Sequence, residues 1–188
     1  MMDGQWLMRQ AHKGDLKLGG DIAYWIADGQ KSRKTGRLHR RSTDIEPKLE
    51  KGQAILGFSA EGELAGYVGF DLWDHDTVIT SSGLIVLPSF RGMGLGRALK
   101  EYILEFLGCR YPNARLFTIT TNLGVLKMNR EMGYQTDRFE ASPRDPTYWK
   151  GCMECPHFKK LREGGFQSCL CHAQSRVLAG AEAAPMSL

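Results

Sequence analysis

Long apolar runs are missing from this chain. No stretch approaches the ~20 consecutive apolar residues that a helix needs to cross a bilayer, so neither a membrane span nor a membrane partner is expected. The first residues, "MMDGQWLMRQAHKGD", lack the apolar core of a secretory signal, which points to a cytoplasmic protein. Strong charge of either sign is missing too. The net charge is only +4, whereas a nucleic-acid-binding domain ordinarily shows a strongly basic balance. Nucleic acid is therefore not an expected partner, and a polyanionic small molecule suits the charge better. Cysteine is sparse, with five in 188 residues, and in a cytoplasmic setting these read as thiols or metal ligands sooner than disulfides. No internal repeat is visible. What is present, 42% hydrophobic and 24% charged residues, excludes disorder of the whole chain and suffices for one domain with a sizeable core.

Periodicity then orders the elements. "QWLMRQA" reads as a first strand. "GGDIAYWIADG" reads as a helix with Ile22, Trp25 and Ile26 on one face and Gly29 as its stop. "TDIEPKLEKG" reads as a second helix with Pro47 in its first turn. "QAILGFS", "ELAGYVGFDLW" and "TVITSSGLIVL" are strands separated by the turn signals "AEGE" and "DHD". A helix follows with Leu95, Leu99, Tyr102, Ile103, Phe106 and Leu107 on its apolar face, and Arg97, Lys100, Glu101 and Glu105 opposite. "RLFTIT", the helix "NLGVLKMNREMG", the strand "YQTDRF", an irregular segment over 140–168 and a final strand "CHAQSRVLA" complete the order. Together they predict an α/β protein with a mixed sheet and helices on its faces.

One junction stands out. "LIVLPSFRGMGLGRAL" sets Gly92, Gly94 and Gly96 between a strand and a helix, although glycine within a helix costs roughly 1 kcal/mol relative to alanine. The first amides of a helix have no internal partner, and the helix dipole places partial positive charge there. Without Cβ atoms in the way, that turn is a cradle for phosphates, with Arg91 and Arg97 at its edges. It is no Walker loop, because no Gly-Lys-Ser/Thr follows, and it does not follow the first strand as a dinucleotide-binding turn would.

These residues resemble the acetyl-CoA-binding segment of the GNAT acyltransferase superfamily: a strand, a proline (Pro88), then Arg91, Gly94, Gly96 and a helix. "TTNLGVLKMNREMGYQ" is similar to a second element of that superfamily, with Asn122 opening a helix and Gly133-Tyr134 at its end. The resemblance implies a GNAT fold with a mostly antiparallel central sheet and helices on both faces. It also implies acetyl-CoA as co-substrate. The amides of Gly92, Met93, Gly94, Leu95, Gly96 and Arg97 would hold the pyrophosphate, with the backbone of Ile85 and Val86 pairing with the pantetheine arm as an added strand does. The Val86 N–H would stabilise the oxyanion, and Asn122 would contact the pantetheine.

The chain also departs from that pattern. Asn129 stands where such enzymes often carry a tyrosine that protonates the leaving thiolate. An amide is no acid, though it can hydrogen-bond sulfur or CoA. An alkyl thiol titrates near ~8.5, so a thiolate still leaves at neutral pH. For the base, "DLWDHD" offers His75, weighed against a plain polar turn. Lys31, Arg33, Lys34, Arg37, Arg40 and Arg41 crowd one loop. Arg33, Arg40 and Arg41 are the candidate carboxylate-binding residues, weighed against a solvated loop or a patch for an acidic protein. Cys152, Cys155, Cys169 and Cys171, spaced C-x2-C and C-x-C, could close a tetrahedral zinc site that staples a segment with little apolar periodicity, with His157 and His172 as spare ligands. A redox pair or inert thiols are the alternatives, and Cys109 reads as a core residue.

The cysteine segment further resembles that of a bacterial GNAT subgroup associated with arginine biosynthesis and glutamate acylation. The expected organisation is a core over 1–140, a Cys-rich excursion and final strand over 141–179, and a disordered tail over 180–188. The expected function is N-acyl transfer from acetyl-CoA to a small amine, glutamate first. Acetylation of a protein amine and a catalytically weak CoA-binding regulator are the alternatives, and a homodimer is an assembly the superfamily often forms.

Overall fold

A computed structural model describes residues 6–31, 41–153, 155–167 and 169–179. Strands β1 (Leu7–Gln10), β2 (Ala54–Phe58), β3 (Leu64–Trp73), β4 (Val78–Val86), β5 (Arg115–Thr120), β6 (Gln135–Thr136) and β7 (His172–Val177) form one sheet in the order β1-β2-β3-β4-β5-β7-β6. Every neighbouring pair is antiparallel except β4 and β5. The helices are α1 (Gly19–Lys31), α2 (Ser42–Glu50), α3 (Leu95–Arg110), α4 (Leu123–Glu131) and α5 (Phe158–Glu163).

Strand alternation sorts the core into two faces. On β2, Ile55 turns to one side with Val68 and Phe70 of β3, and there it meets Leu95, Leu99, Ile103 and Leu107 of α3. Those four α3 residues are at most 1% exposed. Burying a side chain of that size stabilises by about 1.5–3 kcal/mol, which more than offsets the glycines ahead of the helix. Ala54 and Leu56 turn to the other side, against Ile22 and Ile26 of α1 and Ile45 and Leu49 of α2. On that same side, beyond β4, the Cys-rich excursion lays Phe139, Trp149 and Leu161 over Val78 and Phe117.

Several expectations shift in detail. α1 runs through Gly29 to Lys31. Pro47 lies inside α2 rather than in its first turn. The short helix tolerates the missing amide because Ile45 and Leu49 anchor it in the core. "YQTDRF" yields only the two residues of β6, since the chain turns away to bury Phe139. Cys109 is exposed, not core: it follows the buried Leu107 and Gly108 on the outer side of the last turn of α3. The expected tail over 180–188 lies outside the described residues. Among the described residues no helix is long and apolar enough to cross a membrane.

Candidate active site

The site begins where two strands part. β4 and β5 pair only over Val78–Thr80 with Arg115–Phe117. One step further the contact passes to a side chain, the Thr118 hydroxyl donating to the Ser81 carbonyl at 3.3 Å. Beyond it the strands splay, and Ser81–Ile85 and Thr118–Thr121 line the two walls of a cleft. The cleft runs through the sheet. Lys100 of α3 and Val125 of α4 close it on one face, while Ile26 of α1 and the Cys-rich excursion close it on the other.

Strand geometry aims the amides. The Leu87 N–H donates to Ala65 of the β3 side at 2.9 Å. Successive residues of a strand point their amides to opposite edges, so the Val86 N–H points into the splay. Its carbonyl accepts from Arg91 Nε at 3.1 Å, which leaves the N–H as the polar group offered there. Ile85 stands opposite Tyr67 and faces β3.

The glycine loop has the form expected of a phosphate cradle. Gly92 and Gly94 have φ of 79° and 83°, a region that side chains other than glycine's rarely enter. Gly94 is the N-cap residue of α3 and no side chain caps the helix. The amides of Gly92, Met93, Gly94, Leu95 and Gly96 donate to no backbone acceptor of the described residues, whereas that of Arg97 donates to the Gly94 carbonyl at 3.0 Å. The Arg97 guanidinium is paired with Glu131, tying α3 to α4, and also approaches Glu101 at 3.9 Å. Asn122 caps α4, its Oδ1 accepting from Gly124 and Val125 at 2.9 and 3.3 Å.

Asn129, His75 and Arg41 do not line the cleft. Asn129 is fully buried, and its Nδ2 donates to Gln174 Oε1 at 2.9 Å while Oδ1 has no partner among the described residues. It joins α4 to β7 and forms no part of the cleft wall. His75 sits in an exposed turn with φ of 56°, at the paired end of β4 and a strand's length from Val86. Arg41 precedes α2, exposed, its amide on Asp44 at 2.9 Å. Arg33 and Arg40 lie outside the described residues.

The four cysteines do gather at the cleft, together with His157. They are free thiols. Burial, then Cys169, Cys152 and Cys155, push the Cys171 thiol up to about 12. Their chemistry suits zinc, but among the described residues no three Cys, His, Asp or Glu side chains are placed to hold a metal ion. The expected zinc staple is therefore not supported among the described residues.

Two cleft residues escaped the sequence reading. Lys100, assigned there to the polar side of α3, is 2% exposed, and His157 had been no more than a spare ligand. In both cases the position comes from the splay of the sheet, which helical or strand periodicity does not report.

A cleft between splayed parallel strands, with a helix amide cluster at its rim, is the arrangement expected of a GNAT fold. The chain belongs to the acetyltransferase (GNAT) family, whose profile matches residues 23–134. Solved structures share the fold. N-acetylglutamate synthase from Neisseria gonorrhoeae, complexed with coenzyme A and N-acetyl-glutamate, is 23% identical, with 92% of this chain and 35% of that one covered and a TM-score of 0.65. The chain thus spans about a third of that synthase's length. A phosphinothricin acetyltransferase from Sinorhizobium meliloti, in complex with AcCoA, is 12% identical over 96% of this chain and 92% of that one, with a TM-score of 0.62. A GNAT-family acetyltransferase from Streptococcus pneumoniae is 14% identical over 93% and 100%, with a TM-score of 0.60. Among curated proteins, none matches the sequence significantly.

Proposed function

We propose that this enzyme acetylates the amine of a small acidic amino acid, glutamate first, by direct attack on the thioester. The observation that carries the reading is the cleft through the sheet. It lets acetyl-CoA lie along β4 from the α3–α4 face while an amine enters from the face of α1 and the excursion. The amides of Gly92–Gly96 bind the pyrophosphate, Asn122 Nδ2 contacts the pantetheine, and the Val86 N–H polarises the carbonyl, where preorganised donors act most strongly. Asn122 Oδ1 is already committed to its helix cap. Glutamate is supported by the basic segment that leads from α1 to α2 and by the fold shared with a synthase crystallised with N-acetyl-glutamate. Arg33 and Arg40 of that segment would supply guanidinium forks for its carboxylates. His157, on the acceptor side of the cleft, is better situated than His75 to take the amine's proton.

The test is thiol release from acetyl-CoA and succinyl-CoA across a panel of free amino acids. Stimulation by glutamate above the others is expected. Stimulation by no free amino acid refutes the acceptor class and favours a protein amine. The buried Asn129 gives a second reading, a CoA-binding regulator, and tight CoA binding without turnover would select it.

A further inference from the structure

A buried cation normally meets a counter-charge, because desolvating an ammonium costs several kcal/mol. Lys100 meets none among the described residues. Its Nζ donates to the Tyr134 hydroxyl at 3.2 Å and lies 4.7 Å from the centre of that ring. The side chain forms part of the cleft wall, beside Ser81 and opposite the thiols of the excursion. Burial, and after it the Arg176 guanidinium on β7, lower the ammonium to about 8. Tyr134 is raised well above the usual phenol range by burial, and its hydroxyl shares a hydrogen bond with Ser81. Nothing in a resting core asks for a proton donor here, yet the reaction does. The leaving thiolate needs one, and Asn129 is neither acidic nor exposed to the cleft.

We propose that Lys100 is the general acid of this acetyltransferase, giving its proton to the CoA sulfur as the tetrahedral adduct collapses. The inference rests on the acyl-transfer reading above and extends it. The acceptor nitrogen bonds to the thioester carbon, and the carbonyl pair moves to oxygen facing the Val86 N–H. The carbon–sulfur bond then breaks with its electron pair on sulfur, and the proton passes from Nζ to sulfur. Amide, CoA thiol and a neutral Lys100 remain. Lys100 regains a proton from water, with the Tyr134–Ser81 hydroxyls as a path, and the proton lost by the acceptor amine reaches solvent. A lysine near 8 is matched to a thiol near ~8.5, the condition for efficient proton transfer.

The acid must be charged to act, so kcat should fall as pH rises through about 8. The other titratable or charged groups around the site are Tyr134 and Arg176 beside Lys100, with His157 and the thiols of Cys152, Cys155, Cys169 and Cys171 elsewhere in the lining. Cys171, pushed up to about 12, stays a thiol throughout.

The experiment follows thiol release from acetyl-CoA, with the best acceptor among the twenty free amino acids, between pH 6 and 9.5. Wild type, Lys100→Met and Lys100→Arg are compared, with acetyl-CoA affinity measured separately. The expected result is a kcat about 100-fold lower in Lys100→Met, loss of the alkaline limb, and acetyl-CoA affinity within about threefold. Lys100→Arg keeps the charge but cannot release it in this range, and should recover no more than about a tenth of the lost rate. Three outcomes in an active wild type overturn the role of Lys100 alone: Lys100→Met within threefold of wild-type kcat, a limb that persists in that variant, or full activity in Lys100→Arg. If Lys100→Met does not fold, the wild-type profile decides, and a kcat flat from pH 7 to 9.5 overturns the proposal. A wild type that releases no thiol with any acceptor overturns the acyl-transfer reading itself, and Lys100 with it.

Discussion

Lys100 makes a thermodynamic prediction separate from the kinetic one. Folding lowers its pKa from 10.5 to about 8, so between those values the unfolded chain binds a proton that the folded chain releases. Stability therefore rises with pH across that window, and below about pH 8 the buried charge opposes folding. Lys100→Met should accordingly be more stable than wild type at pH 7, by up to roughly 3 kcal/mol at one pKa unit per ~1.4 kcal/mol, and the advantage should shrink towards pH 10. Urea unfolding at both pH values checks it, and a variant less stable at pH 7 contradicts the buried-cation account. A variant that is slower but more stable is the signature of a residue kept for chemistry. The glycine loop gives a second pair of outcomes. A Cβ on Gly94 meets nothing within 4 Å, but φ is +83°, so Gly94→Ala should cost about 1–3 kcal/mol through the backbone and weaken acetyl-CoA binding more than tenfold. Gly96 has helical geometry, and its Cβ would reach Val86 at an ordinary 3.6 Å, so Gly96→Ala should leave stability within about 1 kcal/mol. Calorimetric binding with acetyl-CoA separates the two.

At the scale of elements, β1 is locked to the turn that follows it. Arg9 grips Asp15 with two hydrogen bonds of 2.6 and 2.7 Å, and the Asp15 carboxylate also accepts from the His12 amide at 2.9 Å. The Arg9 hydrogen bonds, opposed by burial, hold Asp15 below the usual carboxylate range. The pair's contribution is thus present above the unfolded value near ~3.9 and is lost as pH falls through the lower folded value. Asp15→Asn should cost about 1–2 kcal/mol at pH 7, towards the lower end because the Arg9 side chain is 41% exposed and screened by water. The gap to wild type should close below about pH 4 in chemical denaturation. Elements with this kind of local grammar were legible beforehand. The β4–glycine–α3 junction could be read because alternation, positive-φ glycines and a period-3.6 stripe each leave a mark on neighbouring residues. Pro47 and β6 were misjudged because tertiary burial of Ile45, Leu49 and Phe139 overrode local preference. Lys100 was misjudged for the same reason. The helical stripe of Leu95, Leu99 and Ile103 shows which side faces the sheet, but the flank of α3 that the β4–β5 splay buries is created by strands remote in sequence.

For the molecule as a whole, the open question was what keeps the Cys-rich excursion against the sheet, since its apolar pattern is weak and a metal staple was the simplest expectation. The structure shows one agent directly, an aromatic cluster. Phe139 stacks on Trp149 at 6.3 Å, Trp149 meets Tyr148 and Phe166 at 4.8 and 4.9 Å, and Tyr148 reaches Trp73 of β3 at 5.7 Å. Such ring pairs add about 0.5–1.5 kcal/mol each beyond their buried area, and the residues involved are scattered too irregularly to register as a helix or strand face. If this aromatic cluster holds the acceptor wall, chelation by EDTA should move the melting temperature by less than about 1 °C, and protein purified without a His tag should carry less than about half an equivalent of zinc. Trp149→Ala should cost about 3–5 kcal/mol and raise KM for the amine acceptor. Acetyl-CoA affinity should stay within about twofold, because the proposed donor path runs along β4 and α3 on the other face. A melting temperature that falls by more than about 5 °C on chelation would instead return the four thiols to the role of metal ligands. A Trp149→Ala enzyme that loses acetyl-CoA binding as severely as acceptor binding would mean that the two faces of the cleft are not separable.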